Sequence, residues 1–459
     1  VSFFFFTGVS VFKFSNRFSL AVALPLAMAS TAFAQTSTPS VEPASESGSY
    51  TLKGDALKSG VSAGTAASYE ISGTSFSGST QSTNVILTVP VSPEAAAFKT
   101  ESGLYLYPTS FAGFGSNNNL LRSSSNPISS TFVNVSPELI AELKNKGDRY
   151  TAFVSANTTR YASSSSDDFT NSEFSIAGDN YFSARARAGW SVAQVNGSDP
   201  RGSTNIALSA EPDRWHSTGV NGRLIYGAQE APGRLEMDLG SVAKTYDNNR
   251  INTAVADLTL NSVAARVFYR LGSRSLALAE VRNAKANYTS SLSTDSNTER
   301  RYYAGLTWEA SAATTGIVKV GSMTKDFDIA GKSGYSGASW EATVRWLPLS
   351  YSAIDLQSKR ETVDSTGVGN YTLNTGTDLI WSHNWSRSLS SRVLLGTLNS
   401  DYSGSGRSDT ANNFSVAADY AVLRWLRLGV DVATTDSQSN VASAAFKRDV
   451  IMLTLNASL

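Results

Sequence analysis

Few residues in this chain have the type and spacing to do bond chemistry. Only two histidines are present, His216 within Asp213-Arg214-Trp215-His216-Ser217 and His383 within Trp381-Ser382-His383-Asn384-Trp385. A serine or acid nucleophile needs a histidine or comparable base beside it. In a chain this rich in serine, a Ser next to a His carries little information. His383 also shares parity with Trp381 and Trp385, which places it with interfacial aromatics. Glu309 and Glu341 would suit glycoside chemistry only if they faced each other across about 5 to 9 Å, and nothing in the sequence fixes that distance. Asp167-Asp168 and Asp295-Ser296-Asn297 lack the full ligand spacing of a calcium loop. There is no cysteine, which excludes thiolate zinc sites, iron–sulfur clusters, disulfides and a cysteine nucleophile. No phosphate-cradling glycine loop lies between a strand and a helix. The expectation is a non-enzymatic protein without a cofactor, with no catalytic, cofactor-binding or metal residue to assign.

The charged residues instead form a pattern. Lys and Arg number 38 against 38 Asp and Glu, so the formal net charge is zero and no nucleic-acid partner is expected. The charged fraction is 17%, below the roughly 25% of soluble domains. From Gly103 onward these charges recur every second residue opposite apolar side chains. In Trp340-Glu341-Ala342-Thr343-Val344-Arg345-Trp346, tryptophan, alanine and valine share one face while Glu341, Thr343 and Arg345 share the other. A period of two means strands with one apolar and one polar face. The same alternation runs through Phe182, Ala184, Ala186, Ala188 and Trp190, through Leu426 to Val432, and through Ile451, Leu453, Leu455, Ala457 and Leu459.

A soluble sandwich and a membrane barrel both alternate, and the strand count separates them. About eighteen candidate strands, with sixteen as the nearest alternative, fit residues 103–459 at the spacing of outer-membrane barrels. The expected fold is therefore all-β, a transmembrane antiparallel β-barrel whose closure satisfies every backbone hydrogen bond in the bilayer. Tight links such as Leu271-Gly272-Ser273-Arg274 and Leu347-Pro348-Leu349-Ser350 contrast with polar excursions at Leu292–Glu299 and Tyr402–Thr410, as short periplasmic turns do with long outer loops. Trp346, Trp381, Trp385 and Trp425 sit where an aromatic girdle belongs. A charge in lipid near the midplane costs several kcal/mol, so the polar face must line the lumen. The candidate lumen-lining residues are Arg185, Arg187, Arg223, Glu236, Asp238, Glu280, Arg282, Glu309, Glu341, Arg345, Asp355, Asp378, Asp419, Arg427 and Asp431. Barrel stability alone requires this arrangement, and a conduit would use the same residues.

Ahead of the barrel, residues 1–34 read as a cleavable signal peptide: Lys13 and Arg17, an apolar run from Leu20 to Ala29, then Ala32-Phe33-Ala34. That places the mature chain in the outer membrane of a Gram-negative bacterium. Residues 35–102 are rich in Ser, Thr, Ala and Gly and read as a polar, low-complexity periplasmic or plug-like segment, with one possible strand at Val85–Val89.

Four stretches, Arg301-Tyr302-Tyr303-Ala304-Gly305-Leu306-Thr307-Trp308-Glu309, Ser339-Trp340-Glu341, Arg424-Trp425-Leu426-Arg427-Leu428-Gly429 and the terminal Lys447–Leu455, are similar to the porin-like outer-membrane β-barrel family associated with exopolysaccharide biosynthesis loci. The resemblance covers residues 103–459 and is strongest after Arg300. It implies a barrel that supports or passes a secreted polysaccharide, and lends no catalytic or substrate-contact residue. The partners expected are outer-membrane lipid and lipopolysaccharide, the outer-membrane assembly machinery, and polysaccharide with its export-system proteins. Two other readings share the same alternation: a general diffusion porin for small solutes, and a lipid- or glycan-modifying enzyme that would need His216, His383 or a carboxylate pair. A strongly selective ion pore would show one dominant sign of charge, whereas both signs are present here.

Overall fold

The computed structural model describes residues 98–228, 231–308, 314–365 and 367–458. The signal-peptide reading of residues 1–34, most of the polar segment and the strand expected at Val85–Val89 lie outside the described residues. The strands are β1 (Phe98–Lys99), β2 (Tyr105–Asn117), β3 (Ser130–Asn145), β4 (Asp148–Tyr161), β5 (Phe169–Tyr181), β6 (Ala186–Asp199), β7 (Asp213–Tyr226), β8 (Gly233–Tyr246), β9 (Leu258–Arg270) and β10 (Ser275–Tyr288). They continue as β11 (Asn297–Trp308), β12 (Thr314–Phe327), β13 (Tyr335–Leu349), β14 (Ser352–Asp364), β15 (Tyr371–Asn384), β16 (Leu389–Tyr402), β17 (Arg407–Leu423), β18 (Leu426–Ser439) and β19 (Phe446–Ser458).

From β2 to β19 each strand pairs antiparallel with its neighbours in sequence, and β19 returns to β2 through Val450↔Asn117 to Ser458↔Thr109. Eighteen strands thus close a barrel, as the sequence pattern anticipates. The short β1 adds Phe98↔Leu106 and Lys99↔Tyr105 to the rim of β2, so pairing begins a few residues before Gly103. With strands about 4.8 Å apart and tilted by about 40°, eighteen of them enclose a backbone radius of roughly 18 Å.

The period of two sets the two faces. Val281, Leu306, Val320, Leu395, Val430 and Leu453 are exposed outward. Their sequence neighbours Glu280, Arg282, Lys319 and Met452 are buried inward. Nearly all strands have 12 to 17 residues. A 14-residue strand at this tilt rises about 35 Å, roughly 10 Å more than the ~25 Å apolar band of such barrels. The surplus lies at one end: outward positions of β10 read Ala277, Ala279 and Val281, then Asn283, Lys285 and Asn287, and those of β18 read Leu428, Val430 and Val432, then Thr434, Asp436 and Gln438. A polar collar therefore stands above the apolar belt.

Connections differ at the two ends. At one end they are tight, as at 146–147, 350–351 and 424–425, and Lys146 and Gly147 both take positive φ, 50° and 103°, the pairing a two-residue hairpin turn requires. At the collar end they run longer, up to residues 200–212 and 118–129. The link around 347–350 is shorter than the sequence suggests, because β13 continues through a bulge to Leu349. Likewise Tyr402 and Arg407–Thr410 belong to strands, leaving 403–406 as the loop.

One stretch departs from the alternation read in the sequence. Phe182, Ala184 and Arg185 lie in the turn between β5 and β6, not in a strand. Ser183 closes that turn, its hydroxyl accepting from the Arg185 and Ala186 amides at 3.2 and 3.0 Å and its carbonyl from Ala186 at 3.3 Å. These local bonds take the backbone groups that a ladder would use.

Candidate functional site: the barrel lumen

The inward charges of β7 to β14 interlock into one ladder. Arg223 pairs with Asp238 at 2.6 Å, and Arg266 bridges Asp238 at 2.7 Å, Glu236 at 3.6 Å and Glu280 at 3.0 Å. Arg234 adds a second cation to Glu236 at 3.0 Å. Glu280 also meets Arg282, and Lys319 at 3.2 Å. Glu341 then gathers Arg282 at 2.5 Å, Lys319 at 2.5 Å and Arg301 at 3.7 Å. Arg301 carries the ladder to Glu299 at 2.5 Å and Glu361 at 3.5 Å. Lys325 joins Glu299 to Asp364, at 3.6 and 2.6 Å, and Lys359 meets Glu361 at 2.7 Å.

Each carboxylate of this ladder except Asp364 touches at least two cations, and opposite charges lie beside one another both within and between strands. That interleaving is what allows so many charges to be buried. An isolated ion taken out of water is penalised by several kcal/mol, and only close opposite charges with good geometry repay it. Opposite signs also sit closer together than the Debye length of about 8 Å, so little net field reaches the lumen centre.

The remaining sequence candidates fall into distinct places. Arg187 pairs with Asp179 at the tight-turn end, its Nε donating at 2.6 Å. Arg345 and Asp355 form a separate buried pair at 3.0 Å. Asp378, Asp419, Asp431 and Arg427 lie on the inner faces of β15, β17 and β18, apart from the ladder. Arg185 is exposed in its turn and lines no lumen wall, a correction with the Ser183 cause given above. Glu309 lies outside the described residues, so its pairing with Glu341 does not arise there. Arg234, Arg266, Glu299, Arg301, Lys319, Lys325, Lys359, Glu361 and Asp364 are ladder members the sequence reading missed. Parity alone marks most of them: Arg301 shares a face with Tyr303, whose neighbours Tyr302 and Ala304 point to lipid.

The wall formed by β2 to β6 with β17 to β19 is of another kind. Amides and hydroxyls dominate it: Asn134 donates to Thr159 at 2.8 Å and to Asn157 at 3.2 Å, Ser198 to Asn171 at 2.7 Å, and Thr435 to Asn413 at 3.0 Å. Phe132, Val450 and Met452 pack among them, with Phe111 and Tyr161 against them. The lumen is thus lined on one side by the interlocked charge ladder and on the other mainly by amides and hydroxyls, with scattered charges such as Arg187–Asp179, Asp419, Arg427 and Asp431 among them.

Neither histidine has the setting of a general base. His216 Nδ1 lies 2.7 Å from Asp247 Oδ1, but the pair is half exposed on the outer collar. Ser217 points to the opposite face, and the hydroxyl on the same face, Thr218, donates to Gln194. His383 is packed in the girdle, its ring 4.3 Å from that of Trp385, 5.5 Å from Trp381 and 5.3 Å from Tyr351. The girdle reading of Trp346, Trp381, Trp385 and Trp425 fits this: all four are exposed outward beside the tight turns.

Among solved structures, OccK2 (OpdF) of Pseudomonas aeruginosa in complex with glucuronate is 10% identical, with 79% of this chain and 100% of that chain covered and a TM-score of 0.46. OpdK of the same organism with vanillate is 12% identical, with 77% and 99% covered and a TM-score of 0.46. The FrpB iron transporter of Neisseria meningitidis is 11% identical, with 73% of this chain but only 62% of that chain covered and a TM-score of 0.42. At these identities the likeness concerns the barrel fold alone. No functionally curated protein matches the chain. The family model described as "Putative beta-barrel porin 2" matches residues 102–459, the whole closed barrel, and the chain belongs to that family of outer-membrane porin-like barrels.

Proposed function

We propose that this chain is a general diffusion porin for small polar solutes, acting without catalysis in the outer membrane of a Gram-negative bacterium. The observation that carries this reading is the lumen wall: an eighteen-strand barrel whose inward charges are interleaved and whose opposite face offers amides and hydroxyls. A barrel of this strand number leaves an aqueous channel. Solutes are then sorted by size and hydrogen bonding, with only weak preference for either ion sign. The polar collar faces the lipopolysaccharide leaflet, the tight turns face the periplasm, and export depends on the cleavable segment 1–34.

Liposome swelling with sugars of rising size tests this reading. Entry of arabinose and glucose through the reconstituted protein supports it, and liposomes no more permeable than protein-free ones refute it. The role in exopolysaccharide export has weaker support, because it rests on resemblance alone while the matching family is one of porins. Loss of secreted polymer on deleting the gene, restored by the wild-type chain, would favour it.

A further inference from the structure

Among the described residues, the cations on the outward strand faces of the collar are held by acids of the protein, with one exception. Arg160 lies 3.7 Å from Asp168, Arg214 3.3 Å from Glu211, Lys285 2.5 Å from Asp328, Arg300 3.1 Å from Asp326 and Lys447 3.0 Å from Asp436. Arg360 of β14 has no carboxylate partner there. Its register fixes the way it points. Arg360 pairs directly with Trp340, and Trp340 with Val320, which is exposed outward on the apolar belt. Directly paired residues share a face, so Arg360 is outward too. Leu356, four residues earlier on the same face of β14, is also exposed on the belt. Four residues of a strand tilted by about 40° rise about 10 Å, which brings Arg360 to the height of lipid headgroups.

The surroundings of Arg360 form a built surface. Its guanidinium carbon lies 5.5 Å from the centre of the Trp340 ring, and its Nε is sealed from solvent without an acceptor. A guanidinium carries five donors, and none of them is spent on the described residues. The ring is fixed in turn: Trp340 Nε1 donates to Ser358 Oγ at 3.1 Å, and Ser358 Oγ lies 3.0 Å from Thr377 Oγ1. Thr377 borders a groove of about 500 Å³ in the outer wall of β15 to β18. Leu379, Leu395 and Phe414 line its lower part and are exposed on the belt, while Thr377, Thr397 and Asn412 line its upper part. Arg360 pairs with Thr375, the outward residue two before Thr377, so the cation stands beside the upper edge of the groove. The step from apolar to polar thus falls inside one depression, at the depth where acyl chains give way to headgroups.

We propose that Arg360, Trp340 and this groove seat one phosphorylated glucosamine lipid of the outer leaflet. Its phosphate meets the Arg360 guanidinium, its sugar meets Thr377, Thr397 and Asn412, and an acyl chain lies over Leu379, Leu395 and Phe414. Charge complementarity selects the phosphate, because an arginine fork matches phosphate oxygens two at a time and this fork has no acid of its own. Trp340 backs the cation from behind and sits at the interface that tryptophan prefers. The hydroxyls and the amide spread over three strands, a width that suits a sugar ring better than a small phospholipid headgroup. An ethanolamine headgroup would also bring a second cation toward Arg360. The seat follows from the collar facing the outer leaflet and is independent of whether the lumen conducts.

The test is native mass spectrometry of the folded full-length protein in detergent, titrated with diphosphoryl lipid A and, separately, with phosphatidylglycerol. Wild type is compared with Arg360→Gln, with Asn412→Phe, which fills the groove, and with Arg300→Gln, whose cation already has Asp326. Wild type and Arg300→Gln are expected to retain one lipid A per barrel. Arg360→Gln is expected to bind it about tenfold more weakly, the loss of one charge-assisted contact. Asn412→Phe is expected to weaken retention with Arg360 still in place. Equal retention by wild type and Arg360→Gln, or an equal loss in Arg300→Gln, overturns the phosphate contact. Unchanged retention in Asn412→Phe overturns the groove, and phosphatidylglycerol held as tightly as lipid A overturns the glycolipid assignment. Arg360 carries no ion pair, so its replacement leaves the wall intact, and heat-modified gel mobility checks that each variant is folded. The two-lipid comparison on wild type needs no variant at all.

Discussion

Glu280 is, with Glu341, one of the two carboxylates of the ladder that take three cations, and replacing it by glutamine tests whether the ladder holds the wall together. Its side chain is fully buried and takes Arg266 at 3.0 Å, Lys319 at 3.2 Å, and Arg282. Stranding a buried charge typically costs 3–5 kcal/mol. Here each cation keeps a second anion: Arg266 retains Asp238 and Glu236, while Arg282 and Lys319 retain Glu341. The loss is therefore smaller, about 2 kcal/mol, because the amide still accepts one hydrogen bond and the ladder relaxes around it. Asp326→Asn is the control, since its pair with Arg300 lies on the outer collar with both side chains largely exposed and contributes about 0–1 kcal/mol. Urea unfolding of the folded protein in lipid or detergent, followed by tryptophan fluorescence, measures both. A double-mutant cycle with Lys319→Met is expected to return a coupling of at least about 1 kcal/mol. Glu280→Gln within about 0.5 kcal/mol of wild type, or no coupling to Lys319, would refute the view that these charges hold one another in place.

Other perturbations follow from the same geometry. Val281→Arg, on the exposed apolar belt, is expected to destabilise the inserted barrel by about 2–4 kcal/mol, whereas Asn287→Arg on the collar of the same strand costs about 0–1 kcal/mol; folding titrations into lipid vesicles separate the two. Gly321→Ala is expected to fold poorly, because a Cβ there overlaps the Tyr302 carbonyl on the neighbouring strand, and heat-modified gel mobility reads the folded fraction. Arg301→Glu removes a cation and adds an anion at the junction of Glu299, Glu341 and Glu361, so the reversal potential in a salt gradient shifts toward cation preference; no shift means that this part of the wall does not face the ion path. Brominated lipids with the label near the headgroup are expected to quench Trp346, Trp381, Trp385 and Trp425 in single-tryptophan variants more than labels at the chain ends do.

The architecture is legible in the sequence because lipid leaves it little choice. Wherever Val281 must face hydrocarbon, Glu280 and Arg282 must face inward, and repeating that demand gives both the strand count and the inner face. Ser183 shows where the rule stops: its turn bonds override an alternation that would otherwise carry Arg185 into the wall. At the mouth the period fails again, since Glu361 and its neighbour Thr362 both reach the inner ladder, Thr362 donating to Glu299 at 2.5 Å. Partner identity is a further step that alternation does not encode. Arg282 meets Glu341 three strands away because their registers align, and nothing near either residue in the sequence signals it.

The central claim, an aqueous passage with compensated charge, is tested most directly by single-channel recording of the folded full-length chain in a planar bilayer under a potassium chloride gradient. The account predicts steady conductance with a reversal potential close to zero, a sign that neither ion dominates. Absence of conductance would contradict an open lumen, and a reversal potential near that of a purely cation- or anion-selective pore would contradict the compensated wall.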